Sequence, residues 1–401
     1  MTNEHQVDPG DDPVPEAVSP AKADMVDAAG GTTPSTTPGM TETPATEGTA
    51  PTTPRDGTGA ADAVEPEDEG PAESVLEAVS PVKATLASLA TPAAAEPRRA
   101  LRVLLAGASG TIGTELVRQL EAAGHTAIRL VRREAQGPLE VSWSPAEGRL
   151  DPAALDGIDA VVNLSGATIS RVPWTAGYRR QILDSRISAT RTLTQAMAAA
   201  ATPPEAFLSG SAEGFYGDRP GETLTEDSPR GLGFLPEVVD AWESAARQAP
   251  SGTRVVLLRT GIVLAEKGAL QPIRLLTNLG VSGPLGGGQQ HWPWISLYDE
   301  AAAIVHLIAS SSLSGPVNLV GPTPATAERL MRYLARRSHR PYLVPAPRFA
   351  LTLALGDAGR ELLLASRRIS AARLQEDGFS FAHPGVNEAV DWAVNRSEHG
   401  A

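Results

Sequence analysis

The sequence predicts a doubly wound, parallel α/β sheet, and three observations carry that prediction. A continuous apolar run, Leu101–Ala106, ends in the glycine pattern Gly107-x-x-Gly110-x-x-Gly113. Apolar residues at Ile112, Leu116, Val117 and Leu120 then recur at helical spacing. Beyond them, short apolar runs alternate with longer segments of helical character, as crossover connections between buried parallel strands require.

Order begins only after a long first segment. Residues 1–97 carry 18 acidic side chains against Lys22, Arg55 and Lys83, a net of −15, whereas the remainder has a net of +2. The segment is rich in Pro, Thr, Ala and Gly, and such a stretch buries too little apolar surface to offset its ordering entropy. We therefore expect 1–98 to be a disordered acidic tail, 99–322 a nucleotide-binding domain and 323–401 a small C-terminal α/β domain. An imperfect echo, EAVSPAKA at Glu16–Ala23 and EAVSPVKA at Glu77–Ala84, reads as compositional drift or as a short docking motif used twice. The tail is a candidate site for a protein partner.

The first strand and its glycines form a phosphate cradle, Gly107, Ser109, Gly110, Thr111, Ile112 and Gly113. The first glycine permits a tight turn, the second lets backbone approach a pyrophosphate, and the third packs helix on strand, in the Rossmann manner. The helix start offers free amides to the phosphates. A second strand, Thr126–Val131, ends in Arg132 and Arg133 where an NAD site would carry an acid on the ribose hydroxyl. An arginine there accommodates a 2′-phosphate, so NADP is the expected cofactor. Solvated surface charge is the competing reading of both arginines.

Leu139–Trp143 reads as a third strand and Asp159–Gly166 as a fourth, whose end at Leu164, Ser165 and Gly166 lets backbone approach a cofactor. A long helix is expected over Tyr178–Ala201, with Arg186 and Thr190 on one face. Glu205–Ala212 and Thr253–Leu264 read as fifth and sixth strands. The C-terminal region predicts helices at Ala327–Arg337 and Leu351–Ser366, with Arg340–Phe349 extended between them and free to pair with a small sheet.

Composition excludes several classes. There is no cysteine, so disulfides, thiolate metal ligands and a cysteine nucleophile are absent, and no metal site is expected. The start MTNEHQVDPGDD lacks the regions of a signal peptide, and the most apolar stretch, Phe349–Ser366, is interrupted by Asp357, Arg360 and Glu361. A cytoplasmic protein without a membrane or nucleic-acid partner, acting on a small molecule, is expected.

The motifs GASGTIG, NLSGATIS, DSRISATRTL, SGSAEGFYGDR, TEDSP, AWESAA, RTGIVL, GPLGGGQQHWPWI and GPVNLVGP, together with a tail beginning RPYLVPAPRF, resemble a known group. They are similar to the atypical short-chain dehydrogenase/reductases described as NAD-dependent epimerase/dehydratase-like, which carry a small C-terminal domain of unknown function. The resemblance implies NADP(H) binding, with Arg132, Leu164, Ser165 and Arg186 along the cofactor. It implies Thr260 and Gly261 near the nicotinamide, and Gln290, Trp294 and Asp299 in the far wall; core packing is the competing reading of Trp294 and the preferred one of Trp292.

Classical members use a tyrosine, a lysine four residues later and a serine or threonine, because a phenol is a poor base without a nearby cation. On the helix Phe234–Ala246 the pair falls at Leu235 and Val239, and Ala212 stands in place of the hydroxyl residue. The candidates left for proton transfer are Tyr216, Ser211 and Glu213, with His291 an outsider. Tyr216 is expected to close the nicotinamide pocket rather than take a proton, and Glu213 to be a solvated loop charge. Two functions follow: an NADP-dependent oxidoreductase, with epimerisation through a transient ketone as a subtype, or a non-catalytic NADP-binding protein. Oligomeric state stays open.

Overall fold

The computed structural model describes residues 99–398 except Lys267 and Ala269, so the tail expected at 1–98 and its repeated octapeptide lie outside the described residues. The chain runs β1 (Arg102–Ala106), α1 (Thr111–Ala122), β2 (Thr126–Val131), β3 (Glu140–Ser142), β4 (Ala160–Asn163), α2 (Ala176–Ala199) and β5 (Ala206–Ala212). Next come β6 (Thr223–Leu224), α3 (Phe234–Ala246), β7 (Arg254–Thr260), β8 (Ile262–Leu264), α4 (Leu270–Asn278), β9 (His291–Trp292) and β10 (Trp294–Ser296). It ends α5 (Leu297–Ala309), β11 (Gly315–Leu319), β12 (Ala325–Thr326), α6 (Ala327–Arg337), α7 (Arg348–Leu355), β13 (Arg368–Ile369), α8 (Ala372–Glu376) and α9 (Val386–Glu398).

Seven strands form one sheet in the order β11-β7-β5-β4-β1-β2-β3, every neighbouring pair parallel. The apolar run of β1 explains its central place: Val103 and Leu105 pack with Leu116 and Leu120 of α1 and Ile304 of α5. Leu104 and Ala106 face the other way, onto Leu193 and Met197 of α2. Alternation of side-chain direction along one buried strand thus covers both faces of the sheet.

The structure corrects four local expectations. The sixth strand does not run through to Leu264; it breaks at Gly261, where a Cβ would stand 2.6 Å from the Pro293 carbonyl oxygen. There Gly261 still donates to Leu319, but Ile262 donates to Pro293, so β8 leaves the main sheet and pairs with β10. The seventh strand, Gly315–Leu319, adds to the edge of β7. The long helix starts at Ala176 because the Thr175 hydroxyl accepts the Tyr178 amide and caps it. The expected helix over Leu351–Ser366 divides into α7 and a π-helical turn at Gly359–Leu364, parted at Gly356 with φ +59°.

The segment before α7 joins no sheet and makes only two isolated parallel bridges, Ser282↔Tyr342 and Leu285↔Ala346. The C-terminal region shares a core with β8–β10 and α4: Leu264, Ile273, Trp292 and Trp294 pack with Leu330, Leu334, Val390 and Val394. Among the described residues no helix is long and apolar enough to cross a membrane.

Candidate functional site

Strand order changes direction between β1 and β4, so the loops that follow these strands part and leave a crevice at their carboxyl ends. A cleft of about 1230 Å³ opens there, bordered by the β1–α1 loop, the end of β2, Trp143–Ala146, Leu164–Ala167 and part of α2. Gly107 adopts φ +87°, and a Cβ on it would lie 2.8 Å from the Leu164 carbonyl. Gly110 caps α1 in extended conformation with no side-chain acceptor, which leaves the first-turn amides, Thr111 to Gly113, available to an anion.

The cradle residues divide by role. Gly107, Ser109 and Gly110 line the cleft, Thr111 is exposed at the helix start, and Ile112 packs on the core. Gly113 is buried, and a Cβ there would stand 2.2 Å from the Gly107 carbonyl oxygen. Since this neighbour is backbone, Gly113→Ala is expected to lower folding stability by about 1–3 kcal/mol. A urea midpoint equal to the parent's would show that the turn is free to shift.

At the end of β2 the two arginines differ. Arg133 is held by Glu140 through two hydrogen bonds of 2.7 Å, and this partner draws the Glu140 carboxyl down to about 2. Arg132 is exposed at the mouth of the cleft, and no described residue pairs with it. Leu164, Ser165 and Gly166 border the cleft opposite the cradle, and the Asn163 carboxamide accepts the Ser165 amide at 3.1 Å.

Arg186 projects from α2 against Gly166. One of its nitrogens donates to the carbonyls of Ala167 and Ile182, each at 3.0 Å, and its guanidinium lies over the Trp242 ring. It has no carboxylate partner among the described residues, and burial pulls its pKa down to about 10. Trp242 and Asn163 both donate to Thr190, the neighbour expected on the same helical face. Thr260 and Gly261 end β7, with Thr260 donating to the buried Glu300 at 2.7 Å.

The three proton-transfer candidates are all engaged. Tyr216 is fully enclosed among Phe215, Leu224, Val239, Val320 and Ile369. Its hydroxyl donates to Asn318 at 2.6 Å and accepts from Arg259, and burial pushes it up to about 12. The phenol is therefore a core group and does not border the cleft. Ser211 is buried and donates to Glu243 at 2.7 Å.

Glu213 is not a solvated loop charge. It forms an ion pair with Arg367 at 2.8 Å, with side-chain exposures of 13% and 3%, and burial raises its carboxyl despite that cation. His291 sits in β9, its pKa lowered by burial and by the charge of Arg368.

The residues expected in the far wall serve packing instead. Trp292 and Trp294 are core, with Trp294 donating to the Thr323 carbonyl. Gln290 donates to the carbonyls of Leu285 and Leu363, and Asp299 accepts the amides of Ala382 and His383. These bonds tie the C-terminal region to the β9–β10 segment and to α5. The buried pair Glu243–Arg259 had no signal in the sequence, because charged residues in AWESAA and LLRTG look the same whether exposed or enclosed.

Residues 103–233 match the NAD dependent epimerase/dehydratase family. An epimerase family protein of Mycobacterium bovis is 40% identical over 296 residues, 73% of this chain and 98% of that one. The chain belongs to this family. Residues 346–393 match a domain of unknown function, DUF1731. The human epimerase family protein SDR39U1 is 31% identical over 72% of this chain. A crystal structure of its isoform 2 with NADPH has TM-score 0.67 at 29% identity, covering 74% of this chain and all of that one. A nucleoside-diphosphate sugar epimerase from Corynebacterium glutamicum is 31% identical with TM-score 0.59, over 73% of this chain and 57% of its own. MoeE5, solved with UDP-glucuronic acid and NAD, shares the fold at 20% identity and TM-score 0.60.

Proposed function

We propose that this member of the epimerase family is an NADP(H)-dependent oxidoreductase or epimerase of the atypical short-chain dehydrogenase/reductase type, acting on a small molecule. The observation that carries the reading is Arg132, exposed in the cleft mouth with no described partner, beside the glycine cradle. A cation left without an internal counterion at the end of β2 suits a 2′-phosphate, for which an acid would be repulsive. Gly107 and Gly110 admit a pyrophosphate against the uncapped start of α1, and Arg186 adds a second cation beside Gly166. The human relative's structure with NADPH supports the same choice of nucleotide.

A nicotinamide dinucleotide, when bound, supplies hydride exchange at its ring. The chain's own residues hold its phosphates and keep apolar side chains, Leu235 and Val239, where classical relatives carry the tyrosine–lysine pair. The enclosure of Tyr216 and Ser211, and the pairing of Glu213 with Arg367, favour water as the proton source. The same enclosure also favours a second reading, a protein that binds NADP(H) without turning over a substrate.

Fluorescence titration of the protein with NADPH and NADH tests the assignment. NADPH is expected to bind at least about tenfold more tightly, and Arg132→Ala to remove most of that preference while leaving NADH almost unchanged, as loss of one charge-assisted contact implies. Equal affinity for the two nucleotides would remove the NADP assignment, and binding of neither would remove the oxidoreductase reading.

A further inference from the structure

Large exposed apolar side chains are not spread over this molecule. Of the eleven described, eight lie in two short stretches, 275–281 and 343–353. The stretches adjoin: the amides of Leu343 and Val344 both donate to the Ser282 carbonyl, Ala346 donates to Pro284, and Gly286 donates to Ala346. They therefore form one surface, with Leu343 78%, Phe349 75% and Leu353 86% exposed at its crest. Phe349 and Leu353 are one turn apart on α7, a helix in which no residue is buried. Contiguous apolar surface of this kind marks an interaction face.

Charge selects the occupant. Residues 270–288 and 338–356 contain no Asp or Glu, while Arg340 and Arg348 stand exposed there with no carboxylate partner among the described residues. Nearby carboxylates are already engaged: Asp357 with Arg179 and Arg360, Glu361 with the amides of Phe234 and Leu235, and Glu328 with Arg332. We propose that this face docks on the surface of an anionic lipid bilayer, the apolar crest entering the headgroup boundary while the arginines meet lipid phosphates. Phe349 and Leu353 project from a helix with no buried residue, which suits a fluid surface that can mould around them. The same face of a second copy of the chain would bring no carboxylate from these two stretches to meet the arginines. The whole chain is acidic, at −13, so attraction arises only at short range, within a Debye length of about 8 Å.

Flotation of the full chain tests this, with vesicles of phosphatidylcholine alone and vesicles in which part of it is replaced by phosphatidylglycerol. Binding is expected to the second kind, at least about fivefold above the first, and to fall as salt rises. Phe349→Ser with Leu353→Ser should reduce it by about tenfold or more, and Arg340→Gln with Arg348→Gln by about threefold or more. Retention of the parent's melting temperature and NADPH affinity would show that the variants are folded; if the apolar pair does not fold, the arginine pair carries the test. Failure to float with either lipid, equal binding to both, or unchanged binding by the folded variants would overturn the proposal. So would a parent dimer that the apolar substitutions dissolve in the absence of lipid binding, since a second copy would then cover the face.

Discussion

Arg259→Leu is expected to lower the stability of the folded protein by about 3–5 kcal/mol, the cost of leaving a buried charge without its partner. Glu243 is completely buried and Arg259 nearly so. Two hydrogen bonds join them, of 2.8 and 3.1 Å, and Ser211 and Arg247 also donate to the carboxylate. Arg259 further donates to the Tyr216 hydroxyl and the Glu226 carbonyl, and its guanidinium lies 3.6 Å from the centre of the Phe215 ring. Burial alone would raise the Glu243 carboxyl, but Arg259, together with Ser211 and Arg247, holds it below its ordinary 4.5. The sign follows: a depressed carboxyl stabilises the fold above the ordinary value, and that contribution is lost as pH falls through the depressed one. Without Arg259 the carboxyl rises instead. Urea denaturation at neutral pH measures the effect, and the double change with Glu243→Gln should cost less than the two single changes summed. A loss under about 1 kcal/mol would mean that water reaches the pair.

Glu300→Gln should have the opposite effect and should stabilise the protein in alkaline solution. Glu300 is fully buried on α5, one oxygen accepting from Thr260 and the other without a partner. Burial pushes the carboxyl up from 4.5 to about 8, only partly offset by the Thr260 hydrogen bond. Between those values the folded protein keeps the proton and the unfolded chain releases it, so stability falls as pH rises through the window and levels off above about 8. Each tenfold difference in proton affinity between the folded and unfolded chains is worth about 1.4 kcal/mol, so the loss amounts to roughly 5 kcal/mol. The amide keeps the acceptor for Thr260 but buries two N–H donors where the neutral acid buries one O–H, a difference that does not change with pH. The stability of the Gln variant relative to the parent should therefore rise by several kcal/mol between pH 4 and pH 8. Parallel stability curves across that range would show that Glu300 has a counterion or water in solution.

Local spacing made the cradle legible. A strand-length apolar run, three glycines at fixed intervals and a helical repeat involve neighbours in the chain, and the structure places them as β1, the turn and α1. The basic end of β2 was equally visible, yet only the structure separates Arg133, paired with Glu140, from Arg132, which is not. Gly261 was read as part of a strand because the Pro293 carbonyl that breaks the ladder comes from a later loop. Tyr216 stood in a loop that resembled the edge of a pocket, and the groups that enclose it, Val320 and Ile369 among them, arrive from far along the chain.

The sequence by itself determined the class of fold and the position of the glycine turn between β1 and α1. Each depends on residue type at short range, where backbone geometry translates spacing directly into place. Only the tertiary structure decided which charges are neutralised and which side chains remain uncovered. It paired Glu213 with Arg367, buried Glu300 with no counterion among the described residues, and joined two acid-free stretches into one apolar face. Burial and ion pairing are set by whichever distant residues pack alongside, and a charged side chain has the same spelling in water as in the core.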